Sequence, residues 1–240
     1  MRGILRLAMS KATHIIITIE GPAGAGKSTV TRLLADQLGL ECLDTGAMYR
    51  VVAWFLREHK KEALSGDALL LLLQELDFII EGNGPAQKVW VQGRDISQEI
   101  RTPEISQLAS AVSMKPEVRS ILAEKQKAYG EKGGLIAEGR DMGTIIFPQA
   151  DYKFFLDASL EIRAQRRYEE LSQRGQSVSL EEVKREMEAR DRQDRERALA
   201  PLFPAQDARR IDTSHLSSEE VVKTILSHIF LRKNADPQRV

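Results

Sequence analysis

Eight consecutive residues, Gly21-Pro22-Ala23-Gly24-Ala25-Gly26-Lys27-Ser28, follow the spacing G-x-x-x-x-G-K-[ST]. Glycines in such a loop let backbone N–H groups turn inward around phosphate oxygens. The N-terminus of a following helix adds partial positive charge. A lysine at position 27 reaches the outer phosphates, and the Ser28 hydroxyl can ligate Mg²⁺. These residue types at this spacing imply binding of a nucleotide phosphate chain. A glycine-rich turn that merely fits the pattern is the competing reading, and the flanking residues weigh against it.

Those flanks supply the elements that must position the loop. Residues 15–19 are a short β-branched run that reads as a buried strand, while Val30, Leu33, Leu34 and Leu38 recur at helical spacing. Further along, residues 40–44 read as a second strand. Gly46 permits a tight turn after it, and Met48, Val51, Val52, Phe55 and Leu56 form a helical stripe. Thr45 and Arg50 then fall at the carboxyl end of a strand, the edge where open α/β sheets bind ligands. Arg50 suits a second phosphate, or is a solvated helix arginine. A third strand is expected at 134–138 and ends in Gly139-Arg140-Asp141-Met142-Gly143, placing Arg140 and Asp141 on the same edge. That pair reads as a ligand contact or as a structural ion pair.

Residues 152–157 read as the next strand. They are followed by a helix over 160–172 carrying Arg163, Arg166 and Arg167, a break at 173–177, and a charged helix from Leu180. Within the last, Arg190, Asp194 and Arg197 stand at i, i+4 and i+7 and share one helical face. Charges of both signs at that spacing make either a solvated helix with internal pairs or a receiver for phosphate and a polar base. The final strand and its exit loop are expected over 209–214. Ser217 with Glu220 forms a capping box for a helix over 221–231.

One region breaks the alternation of strands and helices. After a helix expected over 68–75, residues 77–81 and 88–92 read as a hairpin around the turn 82–85. Helices over 103–114 and 116–129 follow, each opened by a proline. This is an inserted lobe, and its polar candidates are Arg101, Ser110 and Arg119.

Composition narrows the class. At 240 residues, with 35 basic and 35 acidic side chains, the chain suits one sizeable α/β domain and argues against bulk nucleic-acid binding. Cys42 is the only cysteine, so no internal disulfide forms and a reducing compartment, the cytoplasm, is expected. Its apolar surroundings point to an inert thiol. The longest apolar run, 68–73, is too short for a bilayer, so no membrane partner is expected. Residues 1–13 carry Arg2, Arg6 and Lys11 without an acid. They read as a leader, with Met9 as an alternative start, and a frayed tail is expected from Lys233.

Taken together, several segments resemble the bacterial cytidylate kinases, a family of P-loop nucleoside monophosphate (NMP) kinases. They are Glu20 to Thr29, Leu43-Asp44-Thr45-Gly46-Ala47-Met48-Tyr49-Arg50, Glu99-Ile100-Arg101-Thr102, Ala137 to Thr144, Phe155-Leu156-Asp157-Ala158 and Arg190-Asp191-Arg192-Gln193-Asp194-Arg195. They occur in family order over 14–230. The resemblance implies an α/β P-loop NTPase fold, a doubly wound five-stranded parallel sheet with an inserted NMP-binding lobe and an arginine-rich lid. The single kinase domain would span 14–232: core 14–73, 130–158 and 181–232, insert 74–129, lid 159–180, then the tail 233–240.

It also implies roles. Gly21 through Thr29 and Arg166 would bind ATP. Arg50, Arg119, Arg140, Arg190 and Arg197 would hold phosphates, with Lys27, Arg140, Arg190 and Arg197 serving catalysis. Thr45, Asp141, Arg190 and Asp194 would contact the sugar of the monophosphate, and Ser110, Arg119 and Asp194 the cytosine edge. The family usually carries Ser where Thr45 stands; the hydroxyl is retained. The implied reaction converts ATP and CMP or dCMP to ADP and CDP or dCDP with Mg²⁺, in a monomer. A kinase of the same architecture acting on UMP, AMP or shikimate is one alternative. A GTP-binding switch would need an Asn-Lys-x-Asp motif, which is not present. A module without turnover would have little use for Lys27-Ser28 and the arginine set.

Overall fold

The computed structural model describes residues 14–82 and 87–235, with side chains through Leu231. The leader 1–13, residues 83–86 with most of the expected turn, and positions 236–240 lie outside the described residues. Five parallel strands form the central sheet in the order β2-β6-β1-β7-β8. They are β1 (Ile16–Glu20), β2 (Glu41–Asp44), β6 (Leu135–Gly139), β7 (Tyr152–Asp157) and β8 (Arg209–Asp212). Between β2 and β6 lies an antiparallel sheet of β3 (Phe78–Glu81), β4 (Lys88–Val91) and β5 (Arg94–Asp95). The helices are α1 (Lys27–Leu38), α2 (Thr45–Glu58), α3 (Gly66–Gln74), α4 (Pro103–Val112), α5 (Pro116–Gly130), α6 (Leu160–Gln173), α7 (Leu180–Glu196) and α8 (Ser218–Ala235).

Alternation along β1 divides the core into two layers, because successive side chains point to opposite faces. Ile15, Ile17 and Ile19 pack with Val30, Leu34 and Leu38 of α1 and with Val221, Ile225 and Ile229 of α8. Ile16 faces the other layer, where Val51, Val52, Phe55 and Leu56 of α2 meet helices α3 to α5. Leu34 is fully buried, so truncating it to alanine is expected to cost about 2–5 kcal/mol. Such covering on both faces explains the mostly apolar runs of β1, β6 and β7, while the edge strands β2 and β8 carry exposed polar residues. All five carboxyl ends lie at one edge, with β1 central, so the loop after β1 opens at the ligand side of the sheet.

Several boundaries differ from the sequence reading. Gly46 makes no turn: α2 starts directly at Thr45, capped by the Asp44 side chain, which accepts the Ala47 N–H at 2.9 Å. A Cβ on Gly46 would come within 3.1 Å of Asp44 Oδ1 and 3.3 Å of Arg50 Nη1, so glycine there serves close approach. Strand β5 is an addition, only two residues long and held by Val91–Arg94 pairing. Helix α7 stops at Glu196, leaving Arg197 extended at the C-cap yet still on the face it shares with Asp194, 3.7 Å from that carboxylate. Helix α8 begins three residues earlier than expected and continues to Ala235.

Candidate active site

The loop between β1 and α1 is set by two glycines with different tasks. Gly21 has φ 142°, and a Cβ there would collide with the Leu156 carbonyl of β7, so it allows the loop to leave the sheet against its neighbour. Gly26, at φ 86°, turns the chain into α1 as its N-cap. The helix therefore starts at Lys27 with its free N–H groups aimed at the loop. Lys27 is buried and its Nζ donates to the Pro22 carbonyl at 2.7 Å, across the loop.

A cleft of about 900 Å³ opens over this loop. Residues 23–29 line it, as do Thr45, Arg50, Ser110, Arg119, Arg140, Asp141, Arg166, Arg190, Asp194 and Arg197. The structure thus gathers the sequence-predicted site residues from the loop after β1 and the start of α1, from α2, the inserted lobe, the turn after β6, α6, and α7 with its C-cap. Gly21 and Pro22 are the exceptions. Both sit behind the cleft, one against β7 and the other as the acceptor for Lys27.

Within the cleft, charges are arranged in linked pairs. Arg140 Nε donates to Asp194 Oδ2 at 2.9 Å, and Arg197 Nη1 stands 3.7 Å from Asp194 Oδ1. Arg119 bonds to Asp141 and to the Ser113 carbonyl, the latter at 3.2 Å, with its guanidinium 5.9 Å from the centre of the Tyr49 ring. Arg50 Nη2 meets Asp44 Oδ2 at 3.2 Å. The Thr45 hydroxyl donates to the Glu138 carbonyl at 2.7 Å, which leaves its oxygen lone pairs for accepting. Arg166 bridges to Thr213, at 2.6 Å to the carbonyl and 3.3 Å to the hydroxyl, tying α6 to the loop after β8.

These pairs do not saturate the arginines. Arg50 Nε, Arg190 Nε, Arg197 Nη2 and Ser110 Oγ are buried and have no hydrogen-bond partner among the described residues. Buried donors without partners are costly, so a cleft that holds several is built for an acceptor-rich ligand. Electrostatics agree. Burial, then the neighbouring Arg140, hold Lys27 well below the ordinary lysine range. Burial and Arg140 likewise bring Arg190 down to about 10, still cationic at neutral pH. Burial alone would raise the Asp194 carboxyl, but Arg140 and Arg190 outweigh it and keep it below the usual carboxylate range. The cleft therefore carries a surplus of fixed positive charge, the field a polyphosphate requires.

Sequence reasoning passed over Glu138. It is the penultimate residue of β6, is buried, and accepts the Ser28 hydroxyl at 3.0 Å. Burial, then the nearby Asp44, push its carboxyl up to about 7. The signal was a lone carboxylate ending an apolar strand at the ligand edge. Arg101, Arg167 and Arg174 also line the cleft without having been assigned a role.

Comparison with known proteins bears directly on this site. Residues 17–230 match the family model described as cytidylate kinase. The chain belongs to the cytidylate kinase family. The cytidylate kinase of Pseudomonas syringae pv. tomato is 47% identical over 219 residues, covering 90% of this chain and 96% of its own. That of Aeromonas hydrophila subsp. hydrophila is 45% identical over 213 residues, covering 89% and 93%. Among solved structures, a shikimate kinase from Acinetobacter baumannii in complex with shikimate superposes with a TM-score of 0.45 at 19% identity, over 93% of this chain and 98% of its own. Membership in the cytidylate kinase family accounts for the phosphate loop and the arginine-lined cleft occurring in one chain.

Proposed function

We propose that the chain catalyses in-line transfer of the γ-phosphoryl group of ATP to CMP or dCMP, giving ADP and CDP or dCDP. The observation that carries this reading is the set of buried, unpartnered guanidinium donors on Arg50, Arg190 and Arg197 facing the phosphate loop. ATP lies with its phosphates on residues 23–29 and its base toward Arg166 and the loop after β8. The monophosphate lies opposite, under the lobe formed by β3–β5, α4 and α5, with α6 as the arginine-bearing lid.

Little covalent chemistry is asked of the protein. A phosphate oxygen of CMP is already a competent nucleophile, so catalysis rests on positioning and charge stabilisation. Lys27 and Arg140, Arg190 and Arg197 stabilise charge on the transferred group. Planar guanidinium forks suit phosphate better than point charges do. Ser110, Arg119 and Asp194 read the cytosine edge, and Thr45 and Asp141 contact the sugar. The Ser28 hydroxyl and Glu138 carboxylate, 3.0 Å apart, are hard oxygen donors of the kind Mg²⁺ accepts alongside phosphate and water, and they would hold it here. Held there, Mg²⁺ would offset the negative charge of the phosphate chain.

We read the protein as cytoplasmic, on its single cysteine, and as a monomer, on its membership of the family. No helix among the described residues is long and apolar enough to cross a membrane. Phosphorus-31 NMR of the protein with ATP, Mg²⁺ and CMP tests the reaction directly. Growth of CDP resonances at the rate ATP disappears supports it, and release of inorganic phosphate in their place opposes it.

A further inference from the structure

The inserted lobe and α7 meet through two side-chain amides. Gln193 Nε2 on α7 donates to the Ser110 carbonyl of α4 at 3.0 Å, and Gln107 Nε2 on α4 donates to Glu186 Oε1 on α7 at 3.4 Å. The second bond is exposed; the first is half-buried inside the cleft wall.

The acceptor of that first bond is unusual. Ser110 lies in the last turn of α4, where helix carbonyls have no partner further along the helix. Its carbonyl takes the Ser113 hydroxyl at 2.7 Å and the Gln193 amide at 3.0 Å. The Ser113 carbonyl in turn accepts Arg119 at 3.2 Å. One turn of α4 thus fixes both Ser110 and Arg119. The residue holding that turn to the opposite wall is the immediate neighbour of Asp194. The Ser110 hydroxyl itself is buried and unpartnered.

We infer that Gln193 is a positioning residue for base recognition. By capping the end of α4 from α7, it sets the distance between the Ser110 hydroxyl and the Asp194 carboxylate, which approach the base from opposite walls. This inference rests on the base-reading role proposed above for Ser110, Arg119 and Asp194. A carboxamide suits the task because it is a neutral donor: it satisfies the carbonyl without adding charge beside Asp194.

The test compares Gln193→Met, which keeps side-chain length and removes the donor, with Ser110→Ala. In each, KM and kcat are measured for CMP, UMP and ATP. Loss of one neutral hydrogen bond is expected to raise KM for CMP about five- to tenfold in Q193M, with KM for ATP unchanged. The ratio of kcat/KM for CMP to that for UMP should shrink by a similar factor. A Q193M enzyme with the wild-type ratio and KM, while S110A loses discrimination, overturns the role of Gln193 alone. Equal losses for CMP, UMP and ATP overturn it too, since they mark a general structural fault. An S110A enzyme that discriminates normally removes the base-reading account itself, and the inference with it.

Discussion

Arg140, on the turn after β6, and Asp194, on α7, are joined by a 2.9 Å hydrogen bond from Nε to Oδ2 across 54 positions of sequence. Both side chains are largely buried, and Asp194 also faces Arg197 at 3.7 Å. One carboxylate therefore organises cations from two parts of the chain. Replacing it by Asp194→Asn leaves them uncompensated. Breaking a buried pair from one side costs about 3–5 kcal/mol, so the denaturant midpoint should fall markedly. In the folded fraction kcat/KM for CMP should drop at least about a hundredfold, as expected when a group acting in the transition state is displaced.

Lys27 offers the sharper separation of chemistry from folding. Its ammonium is already pressed below the ordinary lysine range by burial and by Arg140, so Lys27→Ala removes a strained buried charge. The variant should unfold at a denaturant concentration close to wild type while kcat falls by about a thousandfold or more. Circular dichroism melts and a turnover assay on the same preparation check both halves.

Glu20 should govern part of the pH dependence of stability. It ends β1 and accepts the Gly143 N–H at 3.1 Å, and burial pushes its carboxyl up to about 8. The folded state then holds a proton that the unfolded chain releases near pH 4.5. Its contribution is complete below that value and is lost as pH rises toward 8, with a slope of roughly 1.4 kcal/mol per pH unit at most. Glu20→Gln should flatten the stability profile between pH 5 and 8 and melt above wild type at pH 8. Urea titrations at four or five pH values would reveal either result.

Cys42 lines the cleft and donates to the Thr31 carbonyl at 3.7 Å, and burial, then Glu138, raise its thiol to about 12. With so little thiolate at neutral pH, alkylation should run at least about a hundredfold slower in the folded protein than in urea. Mass spectrometry after timed iodoacetamide exposure gives the two rates.

How much of this was legible in the sequence follows from what each feature depends on locally. The three inner strands announce themselves because strands covered on both faces are mostly apolar, as residues 15–19 and 135–137 are, whereas the edge strands β2 and β8 mix polar and apolar residues. The phosphate loop is legible because backbone geometry confines glycine to positions 21, 24 and 26 and the chemistry needs Lys27. Strand β5 was missed: two polar residues, Arg94 and Asp95, carry no period, and pairing with β4 alone makes them a strand. The common face of Arg190, Asp194 and Arg197 was legible from their spacing, since Arg197 keeps its helical bond to the Gln193 carbonyl at 3.1 Å and stands 3.7 Å from Asp194; where the helix ends was not. It stops one residue before Arg197, which bonds to the Ala200 carbonyl at 2.7 Å. Glu138 and Gln193 escaped notice because each acts through a partner more than 80 positions away, Ser28 and Ser110 respectively. Long-range pairing of that sort leaves no local trace.

The most direct measurement is a coupled ADP-release assay with ATP, Mg²⁺ and, in turn, CMP, dCMP, UMP, AMP and GMP. The account predicts rapid release with CMP and dCMP and much slower release with the other three. Equal rates with UMP would contradict the reading of Ser110, Arg119 and Asp194 as the cytosine site. No release with any monophosphate would contradict the kinase activity itself.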